Sequence, residues 1–229
     1  MNAFYNLRIA SKLLISFVVV LALTVFVGVF SVMQLSKVNQ MSTEITTNWM
    51  PATRALLDMK GLMARYRSME LQHILSSTDA DMASYEKSMT DAWAGLEKSR
   101  SAYEKLISEP EEKKIFPEFV KAMGQYGLEH DKVIALSRAQ KNDEAVAMIR
   151  GESLRLNLEL SKMLDTLAEV NEVGARKADE TGDAVYRDAR LWVIGILLSS
   201  VVLGLLLALW IARIVAKPLA EAVKVAQSV

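Results

Sequence analysis

The sequence has no cysteine, which excludes disulfide staples and thiolate chemistry alike. Histidine is nearly as scarce: His73 and His130 are the two, too far apart in sequence for a metal-ligand spacing. There is no glycine-rich phosphate loop and no nucleophile elbow. Catalysis, a cofactor and a bound metal therefore have no foothold, and the chain reads as non-enzymatic. Proline is rare too, with Pro51, Pro110 and Pro117 the breakers between residues 34 and 190. No run there alternates as a half-buried strand would. Net charge is also absent, 27 bases against 27 acids, so nothing in the balance supports nucleic-acid binding.

What is present in abundance is apolar sequence at the two ends. Residues 13–33 and 191–212 are uncharged and apolar, and each meets the ~20 residues a helix needs to cross the hydrocarbon core. The first is longer than the ~7–15 apolar residues of a signal peptide, and Gln34-Leu35-Ser36-Lys37 offers no small-residue cleavage site. An uncleaved anchor fits better. Arg8 and Lys12 precede the first run; Arg213, Lys217 and Lys224 follow the second against one acid, Glu221. The excess of bases predicts that residues 1–12 and 213–229 are cytoplasmic. Residues 34–190 would then lie outside, with a net charge near −4 against the +4 of the ends. Trp192 and Trp210 bracket the second run, about 27 Å apart on a helix, as interfacial tryptophans should be. Ser200, Gly204, Ala208 and Ala212 place small residues at every fourth position, a spacing that lets helices approach closely.

Between the two runs the period is helical. A heptad seam runs Ile45, Trp49, Ala52, Leu56, Met59, Met63, Tyr66 and then turns polar at Glu70 and His73. Ser76-Ser77-Thr78-Asp79 interrupts it and can cap a second helix over 79–107. Ser108-Glu109-Pro110 ends that helix, a third spans 111–140, and Lys141-Asn142-Asp143 signals a turn. The fourth has a possible split near Gly151 and continues without a breaker into the second apolar run. The predicted fold is all-α: an antiparallel up-down-up-down four-helix bundle between two transmembrane helices.

The histidines fall on mostly apolar faces, where a satisfied core histidine is the expected reading. Arg65 and Arg67 flank Tyr66 on the seam, Arg67 at its edge and Arg65 further round. A guanidinium beside a tyrosine can hold a small anion; the plainer alternative is that both are solvated or paired with nearby acids. Counting along helices puts Arg67 and Arg155 at the same height, roughly 50 Å beyond the apolar runs. Two facing arginines would favour an anion between them, with Ser153 and Asn157 adding hydrogen bonds. A salt bridge from Arg155 to Glu152 or Glu159 would weaken that arrangement. Tyr126 and Arg138 of the third helix are weaker candidates.

The order of parts resembles the four-helix-bundle sensor class of methyl-accepting chemotaxis receptors. The likeness covers essentially the whole chain. It rests on Asn6-Leu7-Arg8-Ile9, the first span, Asn48-Trp49-Met50-Pro51, Tyr66-Arg67 with Glu70 and His73, the second span, and Ile214-Val215-Ala216-Lys217-Pro218-Leu219. That last stretch is similar to the opening of a HAMP domain, with Leu219, Ala222, Ala226 and Val229 continuing a heptad. The resemblance implies a homodimer in the bacterial inner membrane with a periplasmic sensor domain. It implies a small carboxylate ligand, an organic acid or amino acid, bound at the distal end between the first and fourth helices. By position this points to Arg65 and Arg67, with Ser153 and Arg155. It further implies an inward slide of the fourth helix, read by HAMP and passed to a cytoplasmic kinase and adaptor through a hairpin that would follow Val229. Two other classes share such a front end: a sensor histidine kinase or cyclic-dinucleotide synthase, and a bundle that docks a periplasmic binding protein.

Overall fold

The apolar members of the expected seam are what the fold buries. Trp49, Ala52, Leu56, Met59, Met63 and Tyr66 are all at most 5% exposed, and fully burying a side chain of this size stabilises by about 1.5–3 kcal/mol. The structure, a computed structural model, describes residues 9–227 and the side chains of 10–213. Arg8 of the expected cytoplasmic start lies outside the described residues, as do the side chains of the expected HAMP opening.

The described helices are α1 (Ile9–Glu44), a π-helical turn (Ile45–Trp49), α2 (Met50–Leu75), α3 (Asp79–Glu104), α4 (Pro110–Arg138), α5 (Asn142–Arg150) and α6 (Glu152–Gln227). No strand occurs among the described residues. Residues 42–179 form one unit, in which cross-helix pairs fix the direction of each rod. Lys60 reaches Asp165 and Arg67 reaches Ser153, so α2 and α6 are antiparallel. Tyr66 meets Trp93 and His73 meets Glu86, so α2 and α3 are antiparallel. Tyr103 meets Glu112 and Arg138 meets Glu86, which sets α3 against α4. The core is one large cluster from Ala52 to Leu167, with a smaller one of Ile74, Val133, Ala145 and Ile149 beneath the turn at residues 139–141.

The ends are capped as the sequence suggests. Thr78 accepts from Asp81 N at 3.1 Å, and Glu109 with Glu112 forms a capping box for α4. α3 stops a few residues short of the expected 107 because Leu106 N bonds back to Tyr103 O at 2.8 Å. Gln140 ends α4 at φ 59, with Lys141 N bonded to Leu136 O at 3.0 Å, a Schellman-type closure. The anticipated split near Gly151 is the junction of α5 and α6. The π turn was not anticipated. Pro51 follows it, and a proline ring clashes with the carbonyl four residues back and lacks the N–H to bond it. The helix widens there, so that Met50 N reaches Ile45 O instead. The turn delivers Trp49 into the core, its ring packed against Gly174 so closely that a Cβ there would fall inside contact distance of three indole carbons.

Residues 1–41 and 180–229 make up the second unit. It holds the two helical stretches long and apolar enough to cross a membrane, whose apolar windows are 6% and 0% buried. A core helix of a globular protein would hide such residues; here Leu14, Phe17 and Leu205 are 61–66% exposed. Leu23 of the first stretch shares a groove with Trp192, Gly195 and Ser200 of the second.

Candidate ligand site and polar core of the bundle

Arg67 sits where α2 passes the α5–α6 junction. Its NH1 donates to Ser153 Oγ at 2.9 Å and its NH2 to the Ile149 carbonyl at 2.6 Å. The two acceptors stand on opposite sides of Gly151, so one guanidinium spans the corner. Behind it lies Glu70, fully buried, 3.8 Å from the same NH1. Glu70 accepts from Tyr126 OH at 2.7 Å and pairs with His130 Nδ1 at 2.8 Å. Tyr66 packs at a tilt among Trp93, Tyr126 and His130, with ring centres 5.4, 6.1 and 4.6 Å away. Burial first, and then the charge of Glu70, push the Tyr66 and Tyr126 hydroxyls above the ordinary phenol range. Both stay neutral, and Tyr126 donates to Glu70.

Of the residues singled out from sequence, the fold brings Arg67, Ser153, Tyr66 and Tyr126 together. Asn157 is half-buried one helical turn beyond Ser153 on α6. Arg65 faces elsewhere, exposed on a groove of about 630 Å³ between α2 and α3 that also holds Arg54, Asp58 and Lys98. Arg155 corrects the expectation of two facing arginines. It is exposed and gripped by its own helix, with Nε and NH2 on Glu152 at 2.9 and 2.6 Å and NH1 on Glu159 at 2.7 Å. Acids three before and four after share its face of α6, and their hydrogen bonds raise the Arg155 guanidinium further. The pairing of Arg67 with Ser153 puts residue 67 level with 153, two positions before the Arg155 that counting placed there.

Two further polar clusters pin the helices. His73, fully buried, shares hydrogen bonds with Ser137 Oγ at 2.8 Å and Glu86 Oε1 at 3.1 Å. Glu86 also receives Arg138 Nε at 2.7 Å and NH2 at 2.9 Å. These bonds, Arg138 first and His73 after it, hold the Glu86 carboxyl at about 2 against the opposing effect of burial. Glu112, also fully buried, sits by the turn at residues 105–109 and accepts from Tyr103 OH at 2.6 Å and Asn171 Nδ2 at 2.7 Å. The backbone N–H groups of Ser108 and Glu109 add bonds of 2.9 Å each. Burial alone would raise this carboxyl; the four donors together keep it below its ordinary range. His73 is thus a satisfied core histidine, while His130 is part-buried and pairs through Nδ1 with Glu70. Glu70, Glu86 and Glu112 escaped selection from sequence, and the one visible signal was a polar residue on an apolar seam.

Among the described residues no group of histidine and carboxylate side chains is placed to hold a metal ion. Comparison with known proteins aligns residues 6–186 with a family described as a four helix bundle sensory module for signal transduction. A Bacillus subtilis (strain 168) protein named as the sensory transducer YvaQ is 21% identical over 214 residues, 93% of this chain. Those residues are 38% of the relative's length, so the chain spans well under half of it. No solved structure matches.

Proposed function

Because the chain belongs to the four-helix-bundle sensory modules for signal transduction, of the methyl-accepting chemoreceptor type, we propose that it senses a small carboxylate outside the cell and moves its long last helix in response. The bundle is the periplasmic part of an inner-membrane, two-span homodimer. The ligand, an organic acid or amino acid, docks on Arg67 with Ser153 and Asn157, while Tyr66 and Tyr126 support the site from behind. Arg65 and Arg155 lie outside this cluster in one chain. The output passes to a cytoplasmic kinase and its adaptor.

The observation that carries this reading is the pair of hydrogen bonds that Arg67 donates to Ser153 and to the Ile149 carbonyl. A ligand carboxylate carries charge and can take both arms of a guanidinium at once, whereas Ser153 and the Ile149 carbonyl each offer one neutral acceptor. A ligand that draws Arg67 to itself loosens the corner at Gly151. α6 begins at that corner and runs to Gln227 through the second apolar stretch, so the release acts on the helix that carries the signal inward.

Thermal melting of the full chain in detergent, screened over amino acids, dicarboxylates, tricarboxylates and aromatic acids, tests the proposal. A ligand that binds only the folded form raises the melting temperature. The rise is expected to vanish in Arg67→Ala and to survive in Arg155→Ala. No shift with any of these acids, or a shift indifferent to Arg67, sinks the proposed site.

A further inference from the structure

A groove of about 570 Å³ runs between α3 and α4 and shares with the carboxylate proposal only the Tyr66 ring at its floor. Its floor is aromatic: Trp93, half-buried, lies against Tyr66, which lies against His130. Its rim is acidic, with Glu86 at one side and Asp131 at the other. Among the described residues lining it there is no lysine or arginine. Glu86 already holds Arg138. Asp131 is exposed and makes no salt bridge among the described residues. Its charge is nonetheless felt at the Tyr66 hydroxyl, after the larger effects of burial, Glu70 and Tyr126. α4 brings two glycines to the groove beside Leu128, His130 and Asp131. A Cβ at Gly124 would meet nothing within 4 Å, and one at Gly127 would already touch the Trp93 ring at 3.4 Å.

We propose that this groove binds a small organic cation, an alkylammonium whose positive group lies over the Trp93 face and pairs with Asp131. The chemistry selects the sign. An anion would meet the carboxylate of Asp131 and gain nothing from Glu86, whose partner Arg138 is already committed to it. A neutral apolar group would gain from Trp93 but leave Asp131 unused. An ammonium satisfies both, since cations within about 6 Å of an indole face are attracted by its quadrupole, and the volume falls in the range of small-ligand sites. The site lies within one chain and rests on neither Arg67 nor a second copy.

Calorimetric titration of the full chain in detergent with choline and with tetramethylammonium tests it, with the neutral isostere 3,3-dimethylbutan-1-ol and with succinate as controls. Saturable binding of the two cations is expected, with neither control binding there. Trp93→Leu and Asp131→Asn should each weaken the cations about ten-fold, while Arg155→Ala, at a residue exposed on α6 and absent from the groove, leaves them unchanged. Asp131 is exposed, so its substitution probes charge without disturbing the core. The proposal is overturned if neither cation binds, if the neutral isostere binds as tightly as choline, or if binding ignores both substitutions.

Discussion

Arg67 is the residue on which the junction of the last two helices depends. Removing its side chain leaves the Ile149 carbonyl and Ser153 without their donor and takes a neighbouring charge from Glu70. Arg67→Ala should therefore destabilise the folded chain by about 2 kcal/mol, the usual worth of a charge-assisted hydrogen bond, read by chemical denaturation. Glu86 gives a second prediction. Its carboxyl titrates at about 2 in the fold against an ordinary 4.5. Its contribution is thus fully present above about pH 4.5 and lost as pH falls toward 2. Wild type should lose more stability than Glu86→Gln over that window, and parallel acid-denaturation curves would refute the linkage. At this scale the sequence was legible in height and not in facing. Counting residues put 67 level with 155, two positions from the Ser153 that Arg67 meets, but which way Arg155 points was decided by Glu152 and Glu159 on its own helix. Glu70 was visible as a polar residue on a greasy seam; its partners Tyr126 and His130 lie some sixty positions away, where no local pattern reaches.

Among the elements, the four rods, their turns and the break at Gly151 could be read from heptads and capping residues, because those signals are local. The π turn could not. A hydrophobic seam records which side faces inward and is blind to one extra residue per turn; Pro51 was the cue. Two substitutions test the element ends. Gln140 holds a left-handed backbone that strains a side chain by about 1–2 kcal/mol, so Gln140→Gly should raise the melting temperature by a few degrees. Gly174→Ala should lower stability despite alanine's better helix propensity, worth about 1 kcal/mol, because overpacking the Trp49 ring costs about 1–3 kcal/mol. Combining it with Trp49→Leu, which removes the clashing carbons, should restore part of the loss.

For the whole molecule, the absence of native cysteine makes topology directly measurable. Single cysteines placed at Lys105 and at Lys217 should label from opposite sides of the membrane, Lys105→Cys from outside and Lys217→Cys from within. Labelling of both from one side would overturn the orientation inferred from flanking charge. That inference was within reach of sequence because membrane thickness and charge bias act on composition, whereas the ligand is chosen by side-chain directions that only packing decides.

The grip on Glu112 has one more implication. Asn171 of α6 holds that hidden carboxylate at 2.7 Å, and a hydrogen bond running crosswise to a rod survives an axial displacement of only about 2 Å before it stretches beyond useful length. Under the proposed movement of α6 a short throw keeps this bond; a longer stroke would strip one of four donors from a buried carboxylate and leave it to Tyr103 and the N–H groups of Ser108 and Glu109, so the bolt that aligns the rods would also resist long travel.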